Sequence, residues 1–379
     1  MTHRVQALDA LRGLAIFAML LVNNPGSWQH VYAPLLHADW HGLTPTDLVF
    51  PGFIFVMGVT LAIQLPKALA ASGSKRVCLT ALKRGATLVL LGWFLYLFWF
   101  NFTVPNYDWI NDRLATLRYL GVLQRLGIVY LLTVLLMCTI PPQRYFTVAI
   151  GLLVAYWLLM RFVPYSAADG QTYQGLWLHG NSLAAYLDNL LLGASHLYYA
   201  DASPFAFDPE GLLSTIPAVS SCLLGVVAGR YLITDKRATV QILIVALAGI
   251  VIGVALSAWV PVNKALWTPT FVLVTSGIMV CLLWAFMALD TRFSLFKPGH
   301  PLLVAGTNSI ALYMIAGVLA RLLLMIRVDG VTVKYWLYQP ITQFIGDPKL
   351  ASLCFALLFC LICYLPLLWM YRRGIFWRV

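Results

Sequence analysis

Residues 46–66 read TDLVFPGFIFVMGVTLAIQLP: one acid near the start, then no charge to the end of the stretch. That is about the ~20 residues an α-helix needs to cross a ~30 Å hydrocarbon core. Working outward, comparable apolar runs lie near 8–27, 80–100, 118–138, 144–163, 211–232, 239–259, 268–289, 301–325 and 350–371. Composition agrees with this reading. The chain is 61% hydrophobic and only 10% charged, with mean hydropathy +0.82, whereas a soluble domain carries roughly a quarter charged residues. The expected fold class is therefore all-α, a polytopic transmembrane helical bundle of about ten helices. The runs leave only short loops, so residues 1–379 are expected to form one transmembrane domain.

The formal net charge of +11 invites a nucleic-acid reading, but the basic residues form no single face. They sit at alternate ends of the apolar runs, the positive-inside pattern of a membrane protein. Lys67, Lys75, Arg76, Lys83 and Arg84 then face the cytoplasm, together with both termini. The loop from Pro164 to Glu210 has no Lys or Arg but carries Asp169, Asp188, Asp201, Asp208 and Glu210, which places it outside. All the cysteines but Cys78 lie in apolar runs, so neither disulfides nor a zinc site is expected. Asp9 and Arg12 interrupt the first run, which reads as a retained helix rather than a cleaved leader.

Charge inside a membrane segment is costly and asks for a reason. Asp9 and Arg12, three apart, can meet on one helix face, as a structural pair or with Arg12 holding an anion. Arg125, beside Gln124, serves either a polar cavity or a helix–helix contact. Arg84 suits either a phosphate or positive-inside anchoring. The first loop holds more chemistry. Asn23 and Asn24 end an apolar run before Pro25 and Gly26, which break it. His30, His37 and His41 follow, with Trp40 and Asp47. Histidine is the side chain most easily tuned to trade protons near neutral pH. Thr46 or Asp47 also reads as a helix cap, Trp40 as part of an interfacial belt, and HxxxH alone is a weak metal signal, so no metal is expected. Three more polar clusters stand at 208–215 (Asp208, Glu210), 263–269 (Asn263, Lys264) and 306–309 (Asn308).

These clusters carry a resemblance. LDALRGLAI at 8–16, LVNNPGSW at 21–28, HADWHGLTPTDLVFPGFIFVMG at 37–58, LQRLGIVY at 123–130, DPEGLLSTIPA at 208–218, NKALWTPTFVL at 263–273 and GTNSIALY at 306–313 run in order along nearly the whole chain. Together they resemble the heparan-α-glucosaminide N-acetyltransferase family of membrane acyltransferases, especially bacterial members linked to N-acetylglucosamine use. The resemblance implies transfer of acetyl from cytosolic acetyl-coenzyme A to the amine of glucosamine or a related small amino sugar on the periplasmic side. It places the protein in a bacterial inner membrane and suggests a homodimer. The family's active histidine maps to His37 and its helix-end asparagine to Asn23. His41 stands where lysosomal members carry Asn, and the spacing from 23 to 37 is longer here.

An ammonium is not a nucleophile, so some group must take a proton before the amine attacks a thioester. His37 can serve as that general base or accept the acetyl group itself, with Asn23 donating to the developing oxyanion. Asp208, Glu210, Asp47, His41 and Trp40 are the candidates for holding the acceptor. Arg12, Arg84, Arg125 and Asn308 are the candidates for the coenzyme A side, where phosphates call for Arg and Lys. The alternative is an amino-sugar or N-acetylglucosamine transporter, which needs neither a base beside a thioester nor a phosphate site.

Overall fold

The computed structural model describes residues 3–234 and 236–377, and it is helical almost throughout, with three two-stranded hairpins in the loops. The first helix, α1 (His3–Asn23), stops where the sequence demands. Pro25 supplies no N–H and disfavours helical backbone at Asn24 before it. A 3-10 turn, Pro45–Leu48, then leads into α2 (Val49–Leu97). Forty-nine residues at 1.5 Å each would span about 70 Å, over twice a membrane core. The helix is in fact broken at Gly73, whose φ of 72° and ψ of 163° are not helical. Its arms, 49–72 and 74–97, are therefore two crossings.

The bundle continues with α3 (Val122–Thr139), α4 (Tyr145–Phe162), the short α5 (Leu183–Leu192), α6 (Thr215–Thr234), α7 (Lys236–Leu256) and α8 (Pro269–Phe293). Next come α9 (Pro301–Thr307), α10 (Ser309–Met325), α11 (Val333–Ile345) and α12 (Pro348–Arg372). Among the described residues, eight helices are long and apolar enough to cross a membrane, α2 being counted once. The pair α9–α10, bent by 88°, forms one broken span besides. Every apolar run read from the sequence thus meets a helix, but three differ in detail. The 118–138 run becomes helical only at Val122 and the 211–232 run only at Thr215. The 301–325 run breaks at Asn308, where φ of −127° and ψ of 38° leave the helical region. The short helices α5 and α11 fall below spanning length, which is why no run marked them.

Small residues set the packing. A Cβ at Gly58 would run into the Cys222 carbonyl oxygen, and one at Gly225 into that of Phe55, so α2 and α6 touch backbone to backbone. In lipid, where tails are as apolar as leucine, such close van der Waals contact is what holds helices together. Ile54, Phe55, Val59, Leu223 and Val226 fill that seam and are buried. Ile244 and Val251 of α7 are instead well exposed, as a lipid-facing side requires.

At one end of the bundle three loops fold back together. Trp40 Nε1 donates to the Trp177 carbonyl at 2.8 Å. The Gly42 N–H donates to the Val262 carbonyl at 2.8 Å. Asn263 Nδ2 donates to the Trp40 carbonyl at 2.7 Å. This roof covers the point where α1 ends and α2 begins, and the polar residues of the first loop hang beneath it.

Candidate active site

Asp47 organises the site. Thr44 caps the turn, and Asp47, three residues on, reaches back to it in a capping box. Asp47 Oδ2 accepts from the backbone N–H of Thr44 at 3.0 Å, from the Thr44 hydroxyl at 3.0 Å and from the Ala38 N–H at 3.1 Å. The other oxygen, Oδ1, faces His37 Nδ1 at 2.7 Å. The carboxyl group is 1% exposed as a residue, while the His37 side chain is 48% exposed. A buried carboxylate on Nδ1 favours the ring proton there and leaves Nε2 as the ring's acceptor, the arrangement that serves a base or a nucleophile.

Lys264 completes this group. Its Nζ lies 3.1 Å from His37 Nδ1, 3.2 Å from Nε2 and 3.7 Å from Asp47 Oδ1. Burial holds the lysine below its ordinary range, against the opposing pull of Asp47 and Glu210. Asn263, next to it, is fully buried; its amide oxygen accepts the Leu266 N–H at 2.8 Å and its Nδ2 ties the loop to Trp40. Lys264 is thus carried on a fixed turn before α8.

His37, Asp47 and Lys264 open into a cavity of about 330 Å³ that Asn23, Trp40 and Glu210 also line. Asn23 ends α1 exposed at this cavity, and its side chain makes no hydrogen bond among the described residues. Tyr198 and Tyr199 add aromatic faces to its wall. Tyr199 lies 4.8 Å, centroid to centroid, from Phe207, and Trp40 packs edge-on to Phe207 at 5.7 Å. The cavity therefore offers a ring nitrogen, an amide, an ammonium, carboxylates and flat aromatic faces. That set suits a hydroxylated, amine-bearing ligand.

A family profile described as heparan-alpha-glucosaminide N-acetyltransferase, catalytic, matches residues 4–259. The chain is 31% identical over 359 residues to the Mus musculus heparan-alpha-glucosaminide N-acetyltransferase, covering 82% of this chain and 53% of the mouse protein. The Homo sapiens protein of the same name is 30% identical over 358 residues, covering 82% of this chain and 52% of its own. The chain belongs to the heparan-α-glucosaminide N-acetyltransferase family. It spans about half the length of these two relatives.

Of the residues that the sequence singled out within this acetyltransferase family's pattern, the structure gathers Asn23, His37, Trp40, Asp47 and Glu210 around one cavity. His41 sits beside it: Asn263 Nδ2 lies 3.3 Å from its Nδ1, and burial lowers its pKa. Asp208 is not brought to the cavity. Its carboxylate is held by Arg118, from Nε at 2.7 Å and from Nη2 at 2.6 Å, and it also accepts the Glu210 N–H at 2.9 Å. Arg118 Nη2 contacts Glu210 Oε2 at 2.6 Å as well, so Asp208 positions Glu210 and Arg118.

The four residues considered for coenzyme A are not gathered at either end of this cavity. Arg12 pairs with Asp9 at 2.9 Å and donates to Thr60 Oγ1 at 2.7 Å. Arg84 is half-buried over the Tyr130 ring and donates to its hydroxyl at 3.0 Å. Arg125 is fully buried against the Trp267 ring and donates to the Gly211 carbonyl at 2.9 Å. Asn308 ties the end of the chain to the break between α9 and α10, donating to the Ile375 carbonyl at 3.0 Å and accepting the Trp377 N–H at 2.8 Å.

Sequence reasoning passed over Lys264, Arg118, Tyr198 and Tyr199 as site residues. Two of them left a signal. With the charge pattern making one side rich in Lys and Arg, a basic residue on the other side is out of place, and Arg118 and Lys264 are such residues.

Proposed function

We propose that this protein is a transmembrane N-acetyltransferase that moves acetyl from acetyl-coenzyme A to the amine of glucosamine or a related amino sugar. The observation that carries the reading is the contact of His37 Nδ1 with buried Asp47 at the mouth of a cavity holding Asn23 and Lys264. Family membership supports the same chemistry.

The reaction follows from the groups present. The acceptor arrives largely as an ammonium ion. Glu210 and the aromatic wall of Tyr198 and Tyr199 meet its charge and its ring. His37 Nε2 takes a proton from the nitrogen, and the Asp47 carboxylate stabilises the imidazolium that forms. The amine nitrogen attacks the thioester carbonyl carbon, whose oxygen gathers negative charge. Asn23 and the Lys264 ammonium face that region, and one such donor is typically worth ~3–4 kcal/mol. Collapse breaks the carbon–sulfur bond; the nitrogen gives up its second proton, the departing thiolate takes up a proton to leave as coenzyme A thiol, and the one proton left over passes from His37 to solvent. The N-acetylated sugar is the other product.

The donor's phosphates need cations. Arg84, half-buried rather than enclosed and near the basic end of the bundle, is the residue proposed to meet them. The positive-inside pattern supports cytoplasmic termini and a cytoplasmic donor, with the cavity on the opposite side. Proteoliposomes with a defined orientation test the whole reading. Acetyl-coenzyme A presented at the face bearing Lys83 and Arg84, with glucosamine at the other, is expected to yield N-acetylated sugar only on the glucosamine side. Product formed with both substrates on the cavity side alone contradicts the crossing.

A further inference from the structure

The two arms of α2 pack on different partners. The first meets α6 backbone to backbone through Gly58 and Gly225. The second meets α3 in the same way: a Cβ at Gly85 would press on the Gly127 carbonyl oxygen, and one at Gly127 on that of Gly85. Between the arms stands Gly73, non-helical, in an exposed stretch from 70 to 76, where an added Cβ would meet nothing within 4 Å. The second arm is therefore loosened from the first at this point and held to α3 by the glycine seam.

Between the break and the seam, the same two helices bring two thiols together. Cys78, shortly beyond Gly73, and Cys138, in the last turn of α3, are in side-chain hydrogen-bonding contact, and both are half-buried rather than enclosed. They are far apart in the sequence, so spacing alone does not pair them. Joining them would close the sulfur–sulfur separation from contact to about 2 Å and fasten the end of α3 to the second arm. Beside the seam, about 9 Å along α2 from Cys78, Arg84 stacks over the Tyr130 ring of α3 and donates to its hydroxyl at 3.0 Å. The thiol pair and the Arg84–Tyr130 contact thus span the same two helices.

We propose that Cys78 and Cys138 form a redox modification site, a dithiol that a hydroperoxide converts to a disulfide, fixing the second arm of α2 on the end of α3. One thiolate attacks the peroxide, breaks its oxygen–oxygen bond and becomes a sulfenic acid as water or an alcohol leaves. The other thiolate attacks that sulfur, forms the disulfide bond and releases a further water. The two thiols lose two protons and two electrons, and the peroxide takes up both. A dithiol reductant reverses the step. In a reducing cytoplasm the pair stays a dithiol. The consequence for catalysis rests on the acetyltransferase reading above: the clamp keeps Arg84 against Tyr130 and withholds it from the donor's phosphates, which raises KM for acetyl-coenzyme A.

The test treats the purified protein in lipid nanodiscs with hydrogen peroxide, removes the peroxide and compares wild type with Cys78→Ser and Cys138→Ser. Oxidised wild type is expected to lose two of its seven titratable thiols and to yield a cross-linked peptide joining Cys78 to Cys138. Its KM for acetyl-coenzyme A is expected to rise ~5-fold or more, the low end of coupling between two sites. Dithiothreitol reverses all three changes. Either serine variant forms no cross-link, keeps its KM after peroxide and matches untreated wild type. Peroxide that leaves both thiols free, caps them singly or joins other cysteines overturns the proposal. So does a KM that rises equally in Cys78→Ser, which gives the effect to another group, or a cross-linked enzyme whose KM is unchanged. Mass spectrometry reads the cross-link without turnover, which separates this proposal from the catalytic one. Cross-linking with no N-acetylated sugar formed in either redox state leaves the thiol pair standing and removes the acetyltransferase. Turnover without cross-linking does the reverse.

Discussion

The two oxygens of Asp47 face different partners, and the separation has consequences that a mutation can read. Oδ2 is committed to the Thr44 and Ala38 donors and Oδ1 to His37. Exchanging Asp47 for Asn keeps the size but removes the charge that supports an imidazolium and allows the amide to hold the wrong tautomer. Asp47→Asn is expected to lower kcat by ~10²-fold or more, in line with other His–Asp pairs, with a circular dichroism spectrum like wild type. A rate within a few-fold of wild type would show that the pair only caps a helix. Lys264 makes a second prediction at this scale. Burial lowers its pKa, so its ammonium is lost at a pH below the ordinary 10.5. If that ammonium supports the oxyanion, kcat/KM falls on the alkaline side below that pH. Lys264→Arg stays charged and is expected to move the fall to higher pH, whatever its effect on the maximum. An alkaline limb that does not move rules out this role for Lys264. The His37 and Asn23 positions were visible in the sequence because a family pattern marks them. The Asp47–His37 contact was not, because a residue that caps a turn gives no sign of what its second oxygen faces.

Among the elements, the segment joining α5 to α6 shows how the acidic loop is held. Asp188 of α5 is 1% exposed and accepts the Leu212 N–H at 2.8 Å and the Asp208 N–H at 3.3 Å. A Cβ at Gly211 would strike its carboxyl group, so the glycine in DPEGLL is needed for this approach. Burial pushes the Asp188 pKa up to about 7. For an acid with a raised pKa the native state binds the proton more tightly than the unfolded chain. Its contribution to stability is full below the ordinary carboxylate value of 3.8 and is lost as pH rises toward about 7. Thermal unfolding in detergent is expected to show a melting temperature that declines from pH 4 to 7 and levels above it, with Asp188→Asn flattening the decline. An equal slope in the variant would assign the effect to other groups. The helices themselves were legible as apolar runs of spanning length. Their interruptions were less so: Gly73 sits in the polar-flanked stretch AASGSKR and reads as a loop between two crossings, whereas the structure keeps both arms nearly continuous around one non-helical residue. Asn308 lies inside an apolar run and bends it because its side chain bonds to the Ile375 and Trp377 backbone, far along the chain. A partner that distant leaves no local pattern.

For the molecule as a whole, charge is distributed in a way that serves both topology and chemistry. Basic residues gather toward one side, as in membrane proteins that keep Lys and Arg in the cytoplasm. Among the basic residues of the other side, Arg118 and Lys264 stand at the roofed end and meet Asp208, Glu210 and Asp47. Arg12, Arg125 and Asn308 were marked in the sequence as candidates for the donor, since charge and amides in apolar runs draw attention. In the structure Arg12 contacts Asp9, Asn308 the C-terminal segment, and Arg125 Gly211 and Ser214 through Nη2 alone, its Nε and Nη1 having no hydrogen-bond partner among the described residues. The sequence thus showed which residues are polar at depth, and the packing decides which of them stay available.

Release of thiol from acetyl-coenzyme A by the purified protein, with and without glucosamine, compared between wild type and His37→Ala, tests the central claim most directly. The account predicts glucosamine-dependent release in wild type, reduced ~10²–10⁴-fold in the variant, the range a general base contributes. Folded wild-type protein that releases no thiol with any amino sugar, or a His37→Ala variant as active as wild type, would contradict it.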